Sequence, residues 1–450
     1  MVLIRRLRWF AVLGLVVTGC SSSLFDDGNR GGGGGGGGID SGAGPVPTSC
    51  PAPCLADAAA DFDGTAGGMG GHWRYLDDHR DRTWTPMAAS ATAMTGADAA
   101  NHITTCAAHP DAPACKTLAG ALLVSSAGAT NPADPALELT AAKAQVLKLS
   151  VRAFVASGDD QTIRIYRNSR EDVLFTGIAL AGVTLEQALT VDALPGDRFL
   201  VALAPTANGA TDVALEVFVN PTGANFPSTC QVAIQFTAGM GNTVDNLCGT
   251  DFTHSLYQDT GTDLDSAPAF AAGPFPELGN AGDFVAPAYF RGVGTLDKTH
   301  DVTVQFWVKR RSIVNPDGGA WLFSDMDLDD EVGPKTSGGL AVVITNDAQQ
   351  LLDVQTCTES TPMTLQVADV ATPYPSDGSW QFVRIVHTNG NVSVCLNGTR
   401  RTNLAVAAGH LQSAHLPRLG MNEFSQPSGA FFDGEIDDFR VLTGALPCDP

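Results

Sequence analysis

The chain has 450 residues, of which 26 are Lys or Arg and 48 are Asp or Glu, giving a formal net charge of −22. That balance argues against a nucleic-acid partner, which needs clustered Lys and Arg, and against docking on anionic lipid through a basic patch. A hydrophobic content of 44% is enough for real cores, and the length predicts two or three domains.

Arg5, Arg6 and Arg8 precede an apolar stretch from Trp9 to Val17. This stretch has the length of a signal-peptide core and is too short to span a bilayer. It ends in Val17-Thr18-Gly19-Cys20, followed by Ser21-Ser22-Ser23. The segment resembles the bacterial lipobox, in which small residues precede a lipidated cysteine. The resemblance implies that residues 1–19 are removed and that acyl chains on Cys20 anchor the protein to a membrane. Ser21, rather than Asp, after the cysteine implies the outer membrane or cell surface, by analogy with families where Asp retains the protein inside.

Residues 20–54 are rich in Gly, Ser and Pro and include an unbroken glycine run from Gly31 to Gly38. Such a segment cannot bury a core and reads as a flexible tether. The run lacks the Lys-Ser/Thr ending of a phosphate loop. Beyond Cys20 the cysteines stand at Cys50, Cys54, Cys106, Cys115, Cys230, Cys248, Cys357, Cys395 and Cys448. In an exported protein they predict disulfides rather than a metal site, because no C-x₂-C pair occurs. Local pairing is expected for Cys106 with Cys115 and for Cys357 with Cys395. Their odd number leaves at least one thiol without a partner in the chain.

From residue 55 onward the pattern is strand and turn. Val146 to Phe154 alternates apolar and polar residues, Ile163 and Ile165 alternate with Arg164 and Tyr166, and Val213, Leu215, Val217 and Val219 alternate with Ala214, Glu216 and Phe218. Period two puts one face in a core and the other outside it, as in antiparallel sandwiches. Leu194-Pro195-Gly196-Asp197 reads as a turn, and an Ala-rich region near Met94 to Ala107 shows weak helical periodicity. Residues 55–222 resemble a bacterial carbohydrate-binding-module-like β-sandwich on Phe62, Trp73, Tyr75, His109-Pro110 and Pro195 to Phe199. His72, Asp77, Asp78 and His79 form a polar cluster that reads as a solvated loop. Asn220-Pro221-Thr222-Gly223 reads as a linker.

Residues 226–450 carry four ordered strand motifs. They are Asp301 to Val308, Trp380 to His387, Val392 to Gly398 with its Asn-Gly turn, and Phe432 to Val441. Together they resemble a laminin-G-like, concanavalin A-like jelly roll. The fold class expected is therefore all-β, with two β-sandwich or jelly-roll domains after the tether.

Hydrolases share this fold, but the Glu435-Ile436-Asp437-Asp438 segment lacks the second glutamate that a paired-carboxylate mechanism needs. No nucleophile elbow or His-Glu-x-x-His motif occurs, so catalysis is not expected. Calcium is the cofactor to test, because Asp325, Asp327 and Asp329 alternate in one acidic loop. Asp437 and Asp438 are a second calcium candidate, since laminin-G-like jelly rolls often hold that ion. Trp307 lies opposite the apolar face of its strand and is the candidate sugar platform. The expected role is non-catalytic binding of a glycan or a surface protein by a lipid-anchored envelope protein. The alternatives are an accessory or degenerate polysaccharide hydrolase, or a structural envelope protein without a small ligand.

Overall fold

Alternating apolar residues build antiparallel ladders throughout the chain. The computed structural model describes residues 46–450 except 65–71, 91, 98–100, 207–208, 237–241, 257–263, 277, 293, 298, 312–318, 326–338, 346–350, 358–364, 376–377, 407, 410, 412–414, 422–430 and 449–450. No helix among the described residues is long and apolar enough to cross a membrane.

The described residues form four sheets. Sheet A runs in the order Thr184–Ala193, Gln145–Val155, Thr211–Pro221, Leu122–Ser126, His102–Thr105, Met94–Thr95 and Ala88–Ala89, with Ala56–Asp57 paired to Thr211–Pro221. Sheet B runs Ser169–Ala179, Gln161–Arg167, Arg198–Pro205, Asp134–Thr140, Trp73–Asp78 and Trp84–Pro86. Leu147, Leu149, Val151, Val213, Leu215 and Val217 of sheet A pack on Tyr75, Leu137, Ile163, Ile165, Phe199 and Val201 of sheet B. Burying an aliphatic side chain of this kind contributes about 1.5–3 kcal/mol.

Sheet C runs Ala269–Ala272, Asn280–Phe284, Gly434–Thr443, Val302–Arg310, Gln381–Thr388, Asn391–Leu396 and Thr399–Ala405, with Cys230–Ile234 paired to Gly434–Thr443. Sheet D is built around Phe252–Leu256, Ala288–Arg291, Ala320–Ser324, Gly339–Ile344, Leu351–Cys357 and Leu365–Pro373. Val302, Val304, Phe306 and Val308 of sheet C meet Phe290, Leu322, Leu340 and Val342 of sheet D in the second core.

Among its described residues, Met94 to Ala107 does not form the helix its periodicity suggests. It forms two short strands and enters a 3-10 turn at Cys106–Ala108. β-Branched Ile103, Thr104 and Thr105 favour the extended form, and the Cys106–Cys115 disulfide holds the turn. Asn220 and Pro221 belong to a strand rather than a linker. After them the chain is fastened by Asp192, whose carboxylate accepts hydrogen bonds from the N–H groups of Ser228, Thr229 and Cys230 at 2.6–3.1 Å.

The faces of sheets B and C that look away from their own cores meet each other. Arg384 bonds Asp172 and donates from Nη1 to the Val173 carbonyl at 3.1 Å. Gln305 Nε2 donates to Asp172 at 3.0 Å, and Arg440 Nη2 reaches Asp197 at 2.6 Å. Arg167 adds a second cation to Asp172 at 2.8 Å. Burial alone would raise the Asp172 carboxyl, but Arg167, Arg384 and Arg440 outweigh it and hold it below the usual range. The sheets therefore stack in four layers, with hydrocarbon in the two outer seams and, in the middle one, buried ion pairs set among apolar side chains such as Leu76, Leu200 and Trp307.

Candidate ligand cleft between the sandwiches

The B–C junction opens to solvent along one side, where three short segments converge. The first is the turn 79–83. Arg80 and Arg82 there have φ of 60° and 76°, a region that residues other than glycine rarely adopt. Local bonds hold it: His79 N–H donates to Thr83 O at 3.0 Å, and Thr83 N–H to Asp81 Oδ1 at 3.1 Å. Arg80 pairs with buried Asp134 and donates to the Ala129 carbonyl at 3.2 Å. Arg82 pairs with Glu171 at 2.5 Å and lies 5.3 Å over the Trp307 ring.

The second segment is the hairpin of Gln161–Arg167 and Ser169–Ala179. The alternation that places Ile163 and Ile165 in the core turns Arg164 and Tyr166 to the opposite face. Arg170 Nη2 donates to the Tyr166 hydroxyl at 3.3 Å, and its Nη1 lies 3.4 Å from Asp78. Arg164 makes no side-chain hydrogen bond or ion pair among the described residues, and its Nε is buried without a partner.

The third segment belongs to the C-terminal sandwich. Asn397 and Gly398 have φ of 53° and 73°, as a tight hairpin turn requires. A Cβ on Gly398 would sit 3.5 Å from the Glu171 Cα, so this turn closes directly on the N-terminal sandwich. The resulting cleft encloses about 500 Å³ and is lined by Arg80, Asp81, Arg82, Arg164, Tyr166, Arg170, Glu171, Asn397, Gly398 and Thr399. Beneath it, burial pushes the Asp78 carboxyl up to about 6 against the opposing pull of Arg170 and the Arg80 N–H.

The residues singled out from the sequence lie elsewhere. Trp307 does face away from its own core, but Phe275, Phe382 and Arg82 cover it and leave it 1% exposed. It cannot serve as a sugar platform, because its neighbours Phe275 and Phe382 and Arg82 of the N-terminal sandwich cover that face. Asp438 pairs with Arg440 at 2.7 Å. Asp437 Oδ1 accepts the Asp438 N–H at 2.8 Å, while its Oδ2 is buried without a partner. Burial and the neighbouring Asp438 charge push the Asp437 carboxyl well above the usual range. With Asp438 committed to Arg440, the pair does not present the several free oxygen donors that calcium takes.

Asp325 is buried and caps the Leu340 N–H at 2.8 Å, whereas Asp327 and Asp329 lie outside the described residues. Among the described residues, no group of three or more His, Cys, Asp or Glu is arranged to hold a metal. Asp77 and Asp78 are buried on a strand instead of solvated in a loop. Glu435 is held by Lys309 at 2.9 Å and Arg311 at 3.5 Å.

Cys106 is bonded to Cys115. Cys395 pairs with Cys448 and not with Cys357, because the chain after Gly434–Thr443 returns across the outer face of sheet C beside Cys395. Cys20 lies outside the described residues. The arginines of the cleft were not singled out from the sequence. The available signal was their local density, with Arg80 and Arg82 in one segment and Arg164, Arg167 and Arg170 in another, in a chain poor in cations.

Residues 286–449 match the family model described as the concanavalin A-like lectin/glucanases superfamily (Laminin_G_3), so the C-terminal sandwich carries a laminin-G-like domain. No curated protein matches the chain. Among solved structures, the chain is similar to domain 4 of AbnA, a GH43 extracellular arabinanase from Geobacillus stearothermophilus, in complex with arabinotriose. The identity is 17%, covering 49% of this chain and 95% of that one, with a TM-score of 0.37. It is also similar to a botulinum neurotoxin type C structure described by its interaction with two ganglioside molecules, at 12% identity, 49% of each chain and a TM-score of 0.32. The tandem CBM22-1-CBM22-2 domain of Paenibacillus barcinonensis Xyn10C aligns over 72% of this chain and 86% of its own, at 12% identity and a TM-score of 0.22.

Proposed function

We propose that this protein is a non-catalytic glycan-binding lipoprotein of the bacterial cell envelope, held at the surface by acyl chains on Cys20. The carrying observation is the solvent-open polar cleft at the junction, where Tyr166, Asn397, Thr399 and arginines converge. Sugars are bound by such directional hydrogen-bonding groups on a preformed surface. The lectin-type fold of residues 286–449 supports the same reading. The acid pair that a hydrolase would need is absent from the cleft, whose two carboxylates are committed elsewhere: Asp81 to Thr83, and Glu171 to Arg82. Calcium is the ion to test, on the sequence of acidic residues Asp325, Asp327 and Asp329.

A glycan array probed with the purified full chain, with and without chelator, tests this reading. Binding to a restricted set of plant, bacterial or host glycans is the expected result. Silence across the array would overturn it. Binding that survives the chelator would remove calcium from the proposal and leave the glycan role standing.

A further inference from the structure

Resting on that reading, we propose that the cleft selects carboxylate-bearing sugars, such as uronates or sialates, and that Arg164 is the group that recognises the acid. The argument begins with the pairing of charges. Arg80 is matched by Asp134, Arg82 by Glu171 and Arg170 by Asp78. Arg164 stands on the same wall with no acid in ion-pair contact, since Asp78, which it faces, is already engaged by Arg170, and its Nε is buried with no acceptor supplied by the described residues. A buried donor normally has a partner, so the ligand is the natural source of the acceptor. Guanidinium matches a carboxylate in shape and charge through two parallel N–H bonds.

The rest of the cleft suits a sugar ring better than a bare anion. Its volume of about 500 Å³ falls in the range of small-molecule sites, and Asn397 and Thr399 line the side contributed by the other sandwich. Asp81 and Glu171 accept hydrogen bonds and repel a ligand carrying several negative charges, which favours one carboxylate among hydroxyls. Arg80 and Arg82 hold their uncommon backbone conformation in the turn that forms this wall, an outlier of the kind that collects at binding sites. The guanidinium of Arg164 also stands within a chain whose net charge is −22, so a long-range field does not draw anions in, and recognition rests on the local fork.

The test uses isothermal titration of the full chain with trigalacturonate and 3′-sialyllactose, each against its neutral counterpart, the methyl ester and lactose. At least one acid should bind ten-fold or more tightly than its neutral partner. Arg164→Gln should lose that discrimination, and Arg164→Lys should keep part of it. Both variants should melt within a few degrees of the wild type, since Arg164 makes no hydrogen bond or ion pair among the described residues and Asp78 keeps Arg170. Equal affinity for acid and neutral forms, or unchanged discrimination in Arg164→Gln, would overturn the acid selectivity while leaving the glycan role intact. Silence towards all four probes together with a silent array would remove both.

Discussion

At the scale of single residues, Asp78 couples the cleft to pH. It is faced by Arg170 and Arg164 from the hairpin, by the Arg80 N–H from the turn, by Asp134 from the neighbouring strand and by Tyr166. Its folded value of about 6 lies above its ordinary 3.8, so the fold binds this proton more tightly than the unfolded chain does. Its contribution to stability is therefore greatest below the ordinary carboxylate range and declines as pH rises through about 6. Protonation also removes the nearer of the two carboxylates beside Arg170, leaving Asp134 at 3.8 Å, and makes the cleft more positive. An acidic sugar should bind about five-fold more tightly at pH 5 than at pH 7.5, the effect of one unit charge at close range across partly screened protein. Asp78→Asn should flatten that difference, measured by titration calorimetry at the two pH values. A difference that persists in the variant would show that Asp78 does not set it.

At the scale of elements, sequence and structure agree where period two decides the outcome. Ile163, Ile165, Val302, Val304 and Phe306 were legible as core because alternation fixes which side chains share a face. The Asn397-Gly398 turn was legible for the same local reason. What covers the opposite face is a tertiary fact. The pattern that set Trp307 apart from its core could not show that Phe275 and Arg82 would close over it. The cleft was illegible because its arginines, Asn397 and Thr399 come from segments far apart in the chain.

Cysteine pairing shows the same limit. Proximity in sequence suited Cys106 with Cys115, but Cys395 is joined to Cys448 across 53 positions. Loop-closure entropy for that span gives a stabilisation of about 4 kcal/mol. Cys448→Ser should lower stability by that order in chemical denaturation. Loss of under about 1 kcal/mol, within the usual range of a surface substitution, would show that the closing segment is held without it.

At the scale of the whole molecule, the charged seam between sheets B and C makes the two sandwiches one body. Asp172 and Asp197 are held below their ordinary range by arginines that outweigh burial, so their stabilisation is present at neutral pH and lost as pH falls through their lowered values. Removing one partner strands the other in a dry interface. Asp172→Ala or Arg384→Ala should each cost about 3–5 kcal/mol. The double variant should cost less than the sum, and calorimetry should resolve the single melting transition of the wild type into two. Two transitions in the wild type itself would show that the seam does not couple the halves.

A seam that holds buried ion pairs has one further consequence. If the chain were cut in the segment between Pro221 and Cys230, each half would expose matched arginines and carboxylates beside apolar side chains such as Leu200 and Trp307. Opposite charges would then steer the severed halves back together. Reassembly from the two fragments should weaken with added salt and should restore the cleft only when both are present.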